Sequence, residues 1–128
     1  MIAGIHHAQV MVPTDRLDEA IGFYGGVLGL VRSQRPTGQG WDSRGAWFTV
    51  GDRQLHLSVE DGVDHAATRG HVAYEVDDLA PVVRRLQQAG CPVDVDGQPG
   101  IPVIPGWRRA QSRDPFGNLI EFVARDDR

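Results

Sequence analysis

The sequence holds a single cysteine, Cys91, so no intrachain disulfide can form. That suits a reducing compartment. It lacks a basic stripe: the formal net charge is -4, with both signs scattered along the chain. Nucleic acid is therefore not an expected partner. No apolar run approaches the ~20 residues that cross a bilayer, so a membrane span is not expected. Residues 1–12 lack a basic n-region and a small-residue cleavage site behind a long apolar stretch, so they do not read as a secretory signal. The expected setting is cytoplasmic. No phosphate-binding loop and no dinucleotide fingerprint occur, and residues 97–106 are too proline-rich to cradle a phosphate. With 128 residues, 41% of them hydrophobic, the chain can still bury a core as one compact domain or two fused halves.

What is present is a repeated pattern. Residues 5–12 alternate like a strand. Over residues 15–28 the period changes, and Leu17, Ala20, Ile21, Tyr24 and Leu28 fall at helical spacing. Thr14 or Asp15 is placed to cap that helix. Gly22, Gly25 and Gly26 weaken it, so packing must hold it. Strands are expected over 30–34, 46–50 and 54–59, with a Gly51-Asp52 hairpin turn between the last two. The second half repeats this order. A strand over 70–76 leads to a helix capped by Asp77 or Asp78 and ended by Gly90. Strands are then expected over 93–95, 108–113 and 118–124, with a turn at Pro115-Phe116-Gly117 before the last. Each half reads β-α-β-β-β, so the chain is expected to be an α+β protein. It is divided at 1–64 and 65–128 into two βαβββ modules with cupped mixed sheets and helices outside. The offset is nearly constant: His7 maps to His71 and His56 maps to Glu121. A period of this length fits duplication of one module rather than a solenoid.

Alternate strand residues face opposite sides. Leu55, Leu57 and Val59 share an apolar face, as do Val72, Tyr74 and Val76, and Ile120 and Phe122. Those faces should meet the helices. The opposite faces carry His7, His56, His71 and Glu121, one on each of four strands. Three imidazoles and a carboxylate suit Zn, Ni, Fe(II), Co or Mn and leave positions open for water or substrate. Taken singly, each of these residues has an ordinary reading as a strand histidine or a solvent-facing charge. The metal reading rests on all four occurring at repeat-related sites.

Several segments carry a family likeness. They are Gly4-Ile5-His6-His7, Phe23-Tyr24, Val27-Leu28-Gly29-Leu30, Gln54-Leu55-His56-Leu57, Gly70-His71-Val72-Ala73, Val76-Asp77-Asp78-Leu79 and Asp114-Pro115-Phe116-Gly117-Asn118-Leu119-Ile120-Glu121. Together they resemble the vicinal oxygen chelate superfamily, which includes glyoxalase I, methylmalonyl-CoA epimerase, extradiol dioxygenases, fosfomycin-resistance proteins and bleomycin-binding proteins. The resemblance implies that His7, His56, His71 and Glu121 occupy the metal-ligand positions for a divalent ion. It also implies a homodimer and a small-molecule substrate. The implied activity is that of a metal-dependent, glyoxalase-like lyase or isomerase. Such an enzyme holds its substrate through vicinal oxygens, and Glu121 would move a proton beside the carbonyl. The resemblance leaves three other readings: an Fe(II) ring-cleaving dioxygenase using His7, His71 and Glu121, a thiol transferase opening an antibiotic epoxide, whose usual potassium-binding and phosphonate-binding elements are not identified in the sequence, and a non-enzymatic antibiotic-binding resistance protein. One sequence departure counts against a strict glyoxalase I: His56 stands where that enzyme usually has Glu or Gln.

Other residues carry weaker expectations. Trp41, Trp47, Phe48 and Trp107 are placed to line an apolar pocket, although Trp47 and Phe48 read equally well as core. One of Arg108 and Arg109 should face the cavity and meet an anionic substrate group, with two exposed arginines as the alternative. His6 should point away from His7. His65 should be solvated. Cys91 should be an inert, buried thiol. Residues 97–106 read as a mouth or lid loop.

Overall fold

The computed structural model describes residues 1–38, 40 and 44–127. Trp41 lies outside the described residues. The chain divides into two compact units, Met1–Val63 and Asp64–Arg128.

In the first unit β1 (His7–Val12) is followed by α1 (Leu17–Gly22), β2 (Val31–Ser33), β3 (Gly45–Val50) and β4 (Arg53–Val59). The sheet order is β1-β4-β3-β2. β1 runs parallel to β4, and the other neighbours are antiparallel. The parallel pair is possible because a helical crossover lies between its strands. That crossover is helical over a longer stretch than α1 alone. A 3-10 turn at Thr14–Arg16 precedes α1, and a π-helical turn at Phe23–Val27 follows it. The widening falls where Gly25 and Gly26 weaken the α-form. Neither Thr14 nor Asp15 caps the start with its side chain. Instead the Thr14 N–H donates to Asp61 Oδ1 at 2.9 Å, a contact across 47 residues that local sequence cannot reveal. Gly51, at φ +57, sits in the two-residue turn between β3 and β4, a left-handed position that favours glycine. Ala46, Phe48, Leu55, Leu57, Phe23 and Tyr24 form the core of this unit. Each large apolar side chain buried there contributes roughly 1.5–3 kcal/mol.

The second unit repeats the plan with β5 (His71–Glu75), α2 (Leu79–Gln88), β6 (Asp94–Val95), β7 (Trp107–Arg113) and β8 (Leu119–Arg125). Its sheet order is β5-β8-β7-β6, again with the first pair parallel. Asp78 caps α2, its Oδ1 accepting from the Ala80 N–H at 3.1 Å. The helix closes at Gly90, whose φ is +81, and the Cys91 N–H donates back to the Leu86 carbonyl. Tyr74, Leu86, Ala110, Ile120, Phe122 and Ala124 are buried on the helix side of the sheet. Tyr74 stacks on Phe122 with ring centroids 5.7 Å apart. The fold is thus two four-stranded mixed sheets of βαβββ order, each sheet open rather than closed into a barrel. Among the described residues no helix is long and apolar enough to cross a membrane.

The β7–β8 turn depends on one buried carboxylate. Asp114 Oδ1 accepts from the N–H groups of Phe116 and Asn118, and Oδ2 accepts from the Asn118 amide. Gly117 completes the turn at φ +97, where a Cβ would lie 3.0 Å from the Ala66 nitrogen. Beside that turn, burial and the Asp114 charge push the half-buried Cys91 thiol above its ordinary range. His65 is buried in the short turn His65–Ala67, not solvated as its polar surroundings in sequence suggested.

Two outcomes follow from this turn. Asp114→Ala leaves buried donors unpaired and is expected to cost about 2–3 kcal/mol of stability, measured by denaturant unfolding. Cys91 should react with a thiol-specific disulfide reagent more slowly than free cysteine at pH 8, with the rate rising as pH passes above the usual thiol range. A rate equal to that of free cysteine at pH 8 would contradict it.

Candidate functional site

Strand register decides which side chains share the face away from each core. In the first unit His7 pairs with Gln54, Gln9 with His56, and Trp47 with His56. Paired residues point to the same side of a sheet, so His7, Gln9, Trp47, Gln54 and His56 lie together. β4 runs between β1 and β3, which places His56 between an aromatic ring on each side. The Trp47 indole stacks on His56 with centroids 3.9 Å apart and planes 1° from parallel. His7 stacks on the other side at 4.2 Å and 17°. Trp47 therefore belongs to this face, and Phe48, its neighbour, to the core.

His56 is only 5% exposed. Burial first, and then the neighbouring His7, His6 and Arg35, lower its pKa to about 4. It is neutral at pH 7, the form that ligates a metal. Its Nε2 lies 2.9 Å from Gln54 Oε1. An amide oxygen only accepts, so Nε2 carries the hydrogen and Nδ1 the lone pair. His6 does not point away from His7. It precedes the first strand residue, so strand alternation does not govern it, and its Nδ1 lies 2.9 Å from His7 Nδ1. A hollow of about 380 Å³ opens over this face, lined by His6, His7, Gln9, Arg35, Trp47 and His56 among others. Gly45 keeps room for Arg35 there: a Cβ at this position would lie 3.1 Å from Arg35 Nε and 2.8 Å from the Leu57 carbonyl oxygen.

In the second unit Ala73 and Gln111 both pair with Glu121, and His71 pairs with Leu119. His71, Glu121, Gln111 and Arg109 consequently share the face opposite the core. Glu121 is 4% exposed. Its Oε1 accepts three hydrogen bonds, from Arg109 Nε at 3.1 Å, Arg109 Nη2 at 2.6 Å and Gln111 Nε2 at 2.7 Å. Burial alone would raise the pKa of this carboxyl. The Gln111 and Arg109 donors, the Arg109 charge and His71 outweigh it and hold the group below the usual carboxylate range. His71 Nδ1 lies 2.9 Å from the Arg69 carbonyl, which can only accept, so Nδ1 carries a hydrogen and Nε2 is the nitrogen turned toward Glu121. That nitrogen lies 3.8 Å from Glu121 Oε2. Two metal bonds of about 2.1 Å each could span this distance. Next to the pair is a hollow of about 650 Å³, whose lining includes Arg69, His71, Gln111 and Arg113.

The two expected arginines separate. Arg109 shares the face with Glu121. Arg108 pairs with Ala124 on the opposite side and binds Asp96 through Nε at 3.2 Å. The expectation that Arg108 meets substrate is corrected by this alternation. Trp107 is on the Arg109 face, but four residues along β7 from Gln111 put it about 13 Å away along the strand. Its ring is covered by the Arg125 guanidinium at 4.3 Å. Each unit by itself brings two of the expected ligands to one face, His7 with His56 and His71 with Glu121. Within neither unit do three or more His, Cys, Asp or Glu of the described residues gather for a metal.

Sequence reasoning missed the residues that orient these four. Gln54 fixes the His56 tautomer, and Gln111 braces Glu121. The repeat could have exposed Gln111. Trp47 and Gln111 lie 64 positions apart, the same offset as His7 and His71, and each is paired with the ligand candidate on the adjacent strand.

The family model described as Glyoxalase/Bleomycin resistance protein/Dioxygenase superfamily matches residues 4–122. No curated protein gives a significant match to the chain. Among solved structures, a protein assigned to the glyoxalase family from Bacillus anthracis is similar at 32% identity, with 98% of each chain covered and a TM-score of 0.83. The fosfomycin resistance protein FosX from Listeria monocytogenes, complexed with Mn(II) and sulfate, shares the fold at 18% identity and a TM-score of 0.74, over 99% of this chain and 94% of that one. FosX from Mesorhizobium loti does so at 17% identity and a TM-score of 0.71, over 99% and 96%. With its two βαβββ units and a family match over nearly its whole length, the chain belongs to the glyoxalase/bleomycin resistance protein/dioxygenase superfamily.

Proposed function

We propose that the protein is a metal-dependent, glyoxalase-like lyase or isomerase. In this reading it binds a small substrate through two neighbouring oxygens. His7, His56, His71 and Glu121 are the proposed ligands of one divalent ion. Each unit supplies two of them, and a homodimer is the proposed assembly.

One observation carries this reading. His71 Nε2 and Glu121 Oε2 face each other at 3.8 Å on the face away from the core, with no hydrogen bond between them. With the imidazole neutral, the two atoms present lone pairs that a cation between them would satisfy. The donor set of imidazoles and one carboxylate suits Zn, Ni, Fe(II), Co or Mn. The carbonyl-anchored tautomer of His71 is the arrangement that metal-binding histidines use. The FosX of Listeria shares the fold and was crystallised with Mn(II).

A divalent ion at these residues supplies Lewis acidity for polarising a substrate carbonyl. The chain's own groups do the rest. Glu121 Oε2 is the carboxylate oxygen free of donors, so it is the atom proposed to hold the ion and, on leaving it transiently, to take a proton from the carbon beside that carbonyl and return it. Its lowered pKa keeps it ionised at neutral pH, so a proton taken there is passed on rather than held. The flat Trp47–His56 stack holds the His56 ring rigid beside the hollow.

The test uses protein purified without an affinity tag. Elemental analysis should find one divalent metal per chain. Removing an outer-shell partner of a metal ligand costs about 10–100-fold in affinity, so His71→Ala and Glu121→Gln should each lower Mn(II) or Zn(II) affinity by at least that much. Unchanged affinity in both variants would sink the site. Isomerisation of hemithioacetals by the loaded protein supports the lyase reading. Oxygen uptake with catechols, or tight binding of an aromatic antibiotic by metal-free protein, would replace it.

A further inference from the structure

The four proposed ligands do not account for what surrounds Glu121. Every described donor near its carboxylate is aimed at one oxygen. Arg109 gives Nε and Nη2 to Oε1, and Gln111 gives its amide to the same atom. Among the described residues no hydrogen bond goes to Oε2, which faces His71 Nε2 at 3.8 Å. Arginine more often spreads two donors over two carboxylate oxygens in a fork. In this site the fork closes on one. The remaining nitrogen of the guanidinium, Nη1, donates to the Pro102 carbonyl in the 97–106 loop. The Arg109 side chain is 12% exposed. Three of the five N–H donors of Arg109 are thus engaged, two on Glu121 Oε1 and one on the loop carbonyl.

We infer that Arg109 and Gln111 are positioning residues that restrict Glu121 to one coordinating oxygen, Oε2. The inference rests on the metal reading above. It gives these residues a purpose in that reading. A carboxylate bound through one oxygen would take one position on such an ion and one bound through both would take two, so the single-oxygen mode would leave a further position for a substrate with two neighbouring oxygens. By saturating Oε1, Arg109 and Gln111 keep the second position open, and the loop contact at Pro102 ties Arg109 in place.

Infrared difference spectroscopy on adding Zn(II) alone reads the binding mode directly. A carboxylate bound through one oxygen shows a wide separation between its two stretching bands, and one bound through both shows a narrow separation. The wild-type protein should give the wide separation, with the bands absent in Glu121→Gln. In Arg109→Met and in the Arg109→Met/Gln111→Leu double variant the separation should narrow. Arg109→Lys, which can still donate to Oε1, should keep it wide. A narrow separation in the wild type overturns the inference whether or not any variant folds. A wide separation that persists in a folded double variant also overturns it. If Zn(II) does not bind at all, the metal reading itself fails and this inference falls with it. If Zn(II) binds and the bands survive Glu121→Gln, the metal reading stands and the inferred role of Glu121 and its donors is overturned.

Discussion

A sheet covered by a helix on one side can bury only that side, and strand pairing decides which side chains share the other. The parallel pairs β1–β4 and β5–β8 are the constraint on which the candidate site depends. A shift of one residue in either pair would send His56 or Glu121 into the core and bring Leu55 or Ile120 out. The apolar sets Leu55 with Leu57 and Ile120 with Phe122 prevent that shift, because exposing them would cost several kcal/mol. Core packing thus holds the chemistry-bearing residues in register without touching them.

The two units solve the same problem with different side chains. At the position beside the candidate ligand, the first unit has Trp47, which stacks flat on an imidazole that is neutral at pH 7. The second has Gln111, which donates to a carboxylate. Each suits its partner: an aromatic face packs against a neutral ring, whereas a buried charge needs donors. Gly45 and Arg109 stand in the same relation. Gly45 pairs with Ser58 and Arg109 with Val123, two places along from the ligand in each sheet. In one unit the missing side chain makes room for Arg35. In the other the arginine is supplied by the strand itself and neutralises Glu121.

The order of strands and helices was legible from periodicity, turn residues and the repeat, since these are local properties. The Gly51-Asp52 turn, the Asp78 cap and the stop at Gly90 all stand where local chemistry puts them. The helix start was not legible, because its cap comes from Asp61, 47 residues away. His6 was misassigned by extending strand alternation one residue beyond the strand. His65 was misassigned because its polar neighbours in sequence say nothing about what packs over it.

The sequence by itself determined the βαβββ repeat, the apolar face of each strand and the residues placed opposite it, because a two-residue period follows from backbone geometry alone. Only the tertiary structure decided that Arg109 rather than Arg108 meets Glu121, that Gln111 and Gln54 serve the candidate ligands, and that His71 Nε2 faces Glu121 Oε2. Those facts depend on side-chain rotamers and on partners brought together by pairing between strands. Distance along the chain carries no record of them.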